Sequence, residues 1–191
     1  MTLPAGITVR WAPIPADTPQ RGVAWQLLRT IVGDPAAAIT NACPFCGGPH
    51  GPVRFADRDT LGSVSYAGGF AVVAVADAAT ATAVGVDAES VNHPGRTAEA
   101  MRGIIHPGRA SSLQEWTRVE AVLKADGRGL RVAPATLSIT EDEGAWHASV
   151  GDSDRRYAGW DVTGPPGVLA SVAVEPVSAA PGTAAAEAPD R

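Results

Sequence analysis

The stretch GSVSYAGGFAVVAVAD, residues 62–77, sets the first limit on what this chain can fold into. It reads as a β-hairpin, with a short strand, a turn at Ala67-Gly68-Gly69, and a long strand running to Asp77. The long strand carries an unbroken apolar run, FAVVAVA, in place of the alternation that marks a half-solvated strand. Such a run implies burial on both faces. With 191 residues, 45% of them hydrophobic, the chain has enough apolar surface for that core, and global disorder is excluded.

Around this hairpin the remaining segments fall into two similar halves. Residues 7–14 alternate as a first strand. Residues 18–33 read as a helix with Thr18 as N-cap, Pro19 in the first turn, and Trp25, Leu28 and Val32 on one face. The segment 34–59 is rich in Gly and Pro and reads as irregular. The next strand is 82–89, followed by a helical region at 96–105. The strongest helix spans 111–127, where Ser112 and Glu115 form an S-x-x-E capping box and Gly127 supplies the stop. Strand-like segments follow at 136–140, 145–150, 156–162 and 168–174. One principal helix and several strands in each half predict an α+β protein with two subdomains, 1–81 and 82–175. The Ala/Pro-rich tail, 176–191, reads as disordered.

Charge narrows the function classes. A net charge of −5 and a pI near 5.3 argue against a nucleic-acid binder, which normally presents a basic face. No apolar run approaches the roughly 20 residues that span a bilayer. The opening MTLPAGITVRWAPIP carries no charged segment followed by an apolar one, so no signal peptide is expected. Cys43 and Cys46 are too few and too close for a secreted disulfide framework. The expectation is a cytoplasmic monomer with neither a nucleic-acid nor a membrane partner. Of the 15 basic residues, Lys124 is the one lysine among arginines. It marks a place where a compact ammonium suits better than a guanidinium fork.

Two constellations carry chemistry. In AVGVDAESV, residues 83–91, Asp87 and Glu89 are i and i+2 on a strand and so share a face. On the strong helix, Trp116, Glu120 and Lys124 are spaced by four and line one stripe, while Val119, Val122 and Leu123 turn toward another. Taken singly, Glu120 and Lys124 read as an exposed i,i+4 pair, and Asp87 and Glu89 as a solvated strand end. Together the three carboxylates suit Mg²⁺, and a lysine beside them would balance substrate phosphate oxygens. The second constellation is CPFCGGPHG, residues 43–51. Cys43, Cys46 and His50 have zinc-ligand chemistry, but no second Cys/His pair completes four ligands. The favoured reading is a glycine-rich loop whose backbone amides approach a phosphate.

The order CGGPHG (46–51), SVSYAGGFAVVAVA (63–76), VGVDAES (84–90) and WTRVEAVLKADGRGL (116–130) resembles the surfactin-type 4′-phosphopantetheinyl transferases. The resemblance covers residues 43–130, and its last two motifs are the specific ones. It implies a pseudo-twofold α+β fold, each subdomain having a main helix packed on an antiparallel sheet. It also implies transfer of the 4′-phosphopantetheine arm of coenzyme A to a serine of an acyl or peptidyl carrier protein. Adenosine 3′,5′-bisphosphate would be released. By the resemblance, Asp87, Glu89 and Glu120 hold Mg²⁺, and Glu120 also helps deprotonate the serine. Lys124 is the catalytic lysine, and it binds coenzyme A together with His50, Gly51, Arg54, Ser65 and Tyr66. The carrier would belong to fatty-acid, polyketide or nonribosomal-peptide synthesis.

Three positions depart from the family pattern. Tyr66 replaces the His of a Ser-His pair, Pro52 stands where His-Gly is usually followed by Lys, and Val119 occupies a position where Lys is common. Arg54 or Arg58 would substitute for the lysine missing after His50-Gly51. The alternative reading is a non-catalytic homologue that binds coenzyme A or carrier. A third is a small zinc-binding interaction module. An acidic carrier needs a basic docking surface, expected from Arg102, Arg109, Arg118, Arg128 and Arg131.

Overall fold

The computed structural model describes residues 2–178. The first half runs β1 (Ile7–Pro13), α1 (Gln20–Val32), β2 (Ile39–Thr40), β3 (Val53–Phe55), β4 (Thr60–Ala67) and β5 (Phe70–Asp77). The second runs β6 (Ala81–Ser90), α2 (Leu113–Asp126), two short 3₁₀ turns, β7 (Leu137–Asp142), β8 (Ala145–Val150), β9 (Arg156–Val162) and β10 (Val168–Pro176). Each half forms a five-stranded antiparallel sheet, in the orders β1-β5-β4-β3-β2 and β6-β10-β9-β8-β7. The connectivity is therefore the same in both, with the helix entering between the first and second strands. The protein is α+β, with two antiparallel sheets and two helices, an arrangement compatible with two subdomains.

The double-faced burial read from residues 70–76 has a specific origin. Ala71, Val73 and Val75 pack with Ala24 and Leu28 of α1, together with Val53 and Phe55. Their neighbours Val72, Ala74 and Ala76 pack against Val84, Val86 and Ala88 of β6 and Ala170, Val172 and Val174 of β10. In the second half, α2 covers the other face of its sheet through Val119, Val122 and Leu123, which meet Trp146, Ala148, Val150 and Tyr157. Gly68 and Gly69, at φ 56° and 80°, give the two-residue turn that joins β4 to β5. No helix among the described residues is long and apolar enough to cross a membrane.

The seam between the sheets has its own chemistry. β6 is an edge strand, so its outward N–H groups need partners. Ser63 and Ser65 of β4 supply them: the N–H of Val86 donates to Ser63 Oγ at 3.0 Å, and that of Ala88 to Ser65 Oγ at 3.2 Å. Ser63→Ala would strand a buried N–H and is expected to cost about 1–3 kcal/mol. Urea denaturation reads this directly. An unchanged midpoint would mean that the seam does not depend on that bond.

Several local expectations need correction. Thr18 does not cap α1; Pro19 occupies the N-cap position and makes no side-chain bond there. Residues 34–59 contain β2 and β3, which extend the first sheet. The strand before Gly68 is eight residues long, as long as its partner. Residues 96–105 form turns in place of a helix. Gly103 sits at φ 77°, and Pro107 disfavours helical backbone at His106. Met101 and Ile105 anchor this segment by burial against α2. Pro176, assigned above to the tail, ends β10, and Val177 N–H donates to Thr80 O at 3.1 Å. The rest of that expectation falls largely on 179–191, outside the described residues. The capping box of α2 is present in full, and Gly127 closes the helix in the left-handed region.

Candidate active site

On β6, alternate residues Gly85, Asp87 and Glu89 face α2. A Cβ at Gly85 would lie 2.0 Å from the carbonyl oxygen of Ala121 and 2.5 Å from the nitrogen of Ala125. The missing side chain lets the helix backbone come down onto the strand, and this lowers Lys124 into the seam. Its Nζ donates to Asp87 Oδ1 at 2.7 Å, to Val86 O at 3.0 Å and to Ser65 Oγ at 3.1 Å. Lys124 therefore pairs across the fold with Asp87, not with Glu120 one turn earlier on its own helix.

Asp87 is buried, and its two oxygens differ. Oδ1 accepts from Lys124 and from Ser65 Oγ, the latter at 3.0 Å. Oδ2 is buried and has no hydrogen-bond partner among the described residues. A buried anionic oxygen left bare in this way is costly unless something positive meets it. Ser65 is also buried, and its hydroxyl has used its one donor and both acceptors on Asp87, Lys124 and Ala88. Glu89 Oε1 accepts from Arg96 Nε at 2.9 Å and Trp116 Nε1 at 3.1 Å, and the Arg96 guanidinium lies over the Trp116 ring.

Glu120 stands beside these two acids. Burial, and then the charge of Asp87, pushes its carboxyl above the usual range; Lys124 and Arg96 oppose the shift, and Glu89 adds to it. A raised acid binds more protons folded than unfolded, so its penalty is absent at low pH and grows as pH rises through the folded pKa. Glu120→Gln is therefore expected to stabilise the metal-free protein near neutral pH, with the gain vanishing in acid. Denaturation midpoints of both proteins across that range test it. A pH-independent difference would count against the burial cause.

The three carboxylates line one cavity of about 410 Å³ with Ser65, Tyr66 and Arg96. Their oxygens are not drawn together within 4.8 Å as a set; among the described residues that closeness belongs to Cys43, Cys46 and His50. Tyr66 also lines a second cavity of about 380 Å³, so the two adjoin there. The second cavity is basic, bordered by Arg21, His50, Lys124, Arg128 and Arg131.

The other expected residues are placed as follows. His50 and Gly51 line the second cavity. The loop amides, however, are directed inward: Gly47 N–H donates to Cys43 O, His50 N–H to Gly48 O, and Gly51 N–H to Asn41 O. A turn this tight spends these three donors on itself, so they are not among the amides that could meet a phosphate. Arg54 is exposed on β3 and lines neither cavity, and Arg58 pairs with Asp34. Val119 is fully buried in the α2 core, so no basic group is missing from a surface there. Arg21 and Arg96 were not foreseen. Nothing in their local sequence marks them, because they reach the site only through packing. Four of the five arginines expected to form a docking face are neutralised: Arg102 by Glu99, Arg109 by Glu115, Arg118 by Asp161 and Glu141, and Arg128 by Asp126 and Asp152. Arg131 stacks on Phe45 at 3.7 Å.

The chain matches no protein-family model and no curated protein.

Proposed function

We propose that this chain is a magnesium-dependent 4′-phosphopantetheinyl transferase of the surfactin type. On this reading it moves the phosphopantetheine arm of coenzyme A to a serine of an apo acyl or peptidyl carrier protein. One observation carries the proposal: Asp87 offers a bare buried oxygen beside Glu120 and Lys124, where a carboxylate-lined cavity adjoins a basic one. The repeated strand order supports the pseudo-twofold fold that the family implies.

The residues fit a hard divalent cation. Asp87 Oδ2 lacks a partner among the described residues, and Glu120, raised first by burial and then by the charge of Asp87, stands beside it where a cation would ease their repulsion. Asp87, Glu89 and Glu120 would hold it, Glu89 by exchanging its contact with Arg96. When bound, Mg²⁺ neutralises pyrophosphate oxygens. The basic cavity suits the 3′-phosphate and pyrophosphate of coenzyme A, with Arg21 and Arg131 in place of the basic residues expected from the motif. Lys124 already stands at the junction and would stabilise charge developing on the phosphoryl oxygens. The serine oxygen forms a bond to the β-phosphorus of coenzyme A as the bond to the bridging oxygen breaks, releasing adenosine 3′,5′-bisphosphate. Glu120, beside the position the serine must occupy, would take the serine proton.

Incubation with Mg²⁺, coenzyme A and a panel of apo carriers should add the mass of the phosphopantetheine arm to at least one. No gain on any carrier that a known transferase labels would sink the proposal. Tight coenzyme A binding without transfer would point to the binding homologue instead.

A further inference from the structure

We infer that Cys43, Cys46 and His50 form a second metal site, of thiolate–imidazole type and suited to zinc. The inference stands apart from the function proposed above. The two sulfurs and a ring nitrogen of His50 all lie within 4.8 Å of one another, with Cys46 Sγ and His50 Nε2 at 3.0 Å. Bond lengths of about 2.0–2.3 Å around a tetrahedral zinc put its ligand atoms roughly 3.5–4 Å apart, so the cluster closes on an ion with small movements.

The loop is shaped around those atoms. Cys43 N–H donates to Gly48 O and Gly47 N–H to Cys43 O, both at 2.8 Å, so the backbone folds back on itself between the two cysteines and His50. Gly47 turns the chain at φ 71°. Gly48 leaves room for the imidazole: a Cβ there would meet His50 ring atoms at 3.1–3.2 Å and Cys46 Sγ at 3.3 Å. The turn is tied down on both sides. Arg21 and Asn41 donate to Pro49 O at 2.7 and 2.9 Å, and Arg131 stacks on Phe45. Two soft thiolates and an imidazole in a fixed loop select zinc over magnesium, which prefers the carboxylate oxygens across the seam. Water would complete a fourth position. Cys43 and His50 also line the basic cavity, so the ion would hold that wall in place.

The test uses the full chain, reduced and stripped with a chelator, then titrated with cobalt(II) and with zinc. Cobalt should bind one equivalent with sulfur charge-transfer absorption and the intense visible bands of tetrahedral coordination, and zinc should displace it. Zinc uptake should release protons as the thiols ionise. Cys46 is exposed, so Cys46→Ser should fold normally. That variant and His50→Ala should each weaken zinc by more than about 100-fold. Weak octahedral spectra without sulfur charge transfer, or zinc affinity unchanged in both variants, would overturn the assignment. So would failure of the reduced protein to take up metal.

Discussion

Gly85→Ala is expected to be the most damaging small substitution in the molecule, lowering stability by about 3 kcal/mol or more. The atoms its methyl group would strike are backbone, Ala121 O and Ala125 N, so no rotamer change relieves the contact. The helix would have to lift from β6, and Lys124 would leave Asp87 with it. Gly22 in α1 supplies the contrast, since a Cβ there meets nothing within 4 Å among the described residues. Gly22→Ala should stabilise by about 0.5–1 kcal/mol, because it restricts the unfolded chain at no steric cost. Urea midpoints of the two variants decide the matter. A Gly85→Ala protein as stable as the parent would mean that α2 is not seated on β6 in this way.

Lys124→Met is expected to have the second largest effect, and it acts on two properties. It leaves Asp87 buried with only the Ser65 hydroxyl as donor, at a cost of about 3 kcal/mol. It also removes the cation that meets the transferred phosphoryl group, so carrier modification should fall by roughly 10²–10³-fold if the proposed activity holds. Asp87→Asn should cost less stability, because Lys124 is partly exposed and can turn to water. The double variant should recover much of the stability lost in Lys124→Met while transfer stays lost. That split separates a charge kept for folding from one kept for chemistry. Recovery of both together would assign the pair to folding alone.

Some of this was legible in the chain. The ends of α2 are written locally, in Ser112, Glu115 and Gly127, because a capping box and a left-handed stop involve residues within one turn. Likewise, the period of a strand puts Asp87 and Glu89 on one face, and helical spacing puts Glu120 and Lys124 on one stripe. The failures also have local reasons. Thr18 sits one position too early to cap, and Gly103 interrupts a segment whose composition favours a helix.

What the sequence determined by itself was therefore the longer elements and the face each acid occupies, since period and capping act over a few residues, whereas β2, β3 and the turns at 96–105 escaped it. It also showed that the strand at 70–76 needed cover on both sides, because an unbroken apolar run has no face for water. Only the tertiary structure decided which charge meets which. Lys124 has Glu120 one turn away on its own helix, yet it bonds to Asp87, 37 residues distant, because Gly85 admits the helix to the strand. Val119 went to the core, Arg118 to Asp161, Arg128 to Asp126, and Arg21 and Arg96 to the cavities. Ion pairing and burial depend on distances that packing alone sets, and residues far apart in sequence carry no periodic signal of becoming neighbours.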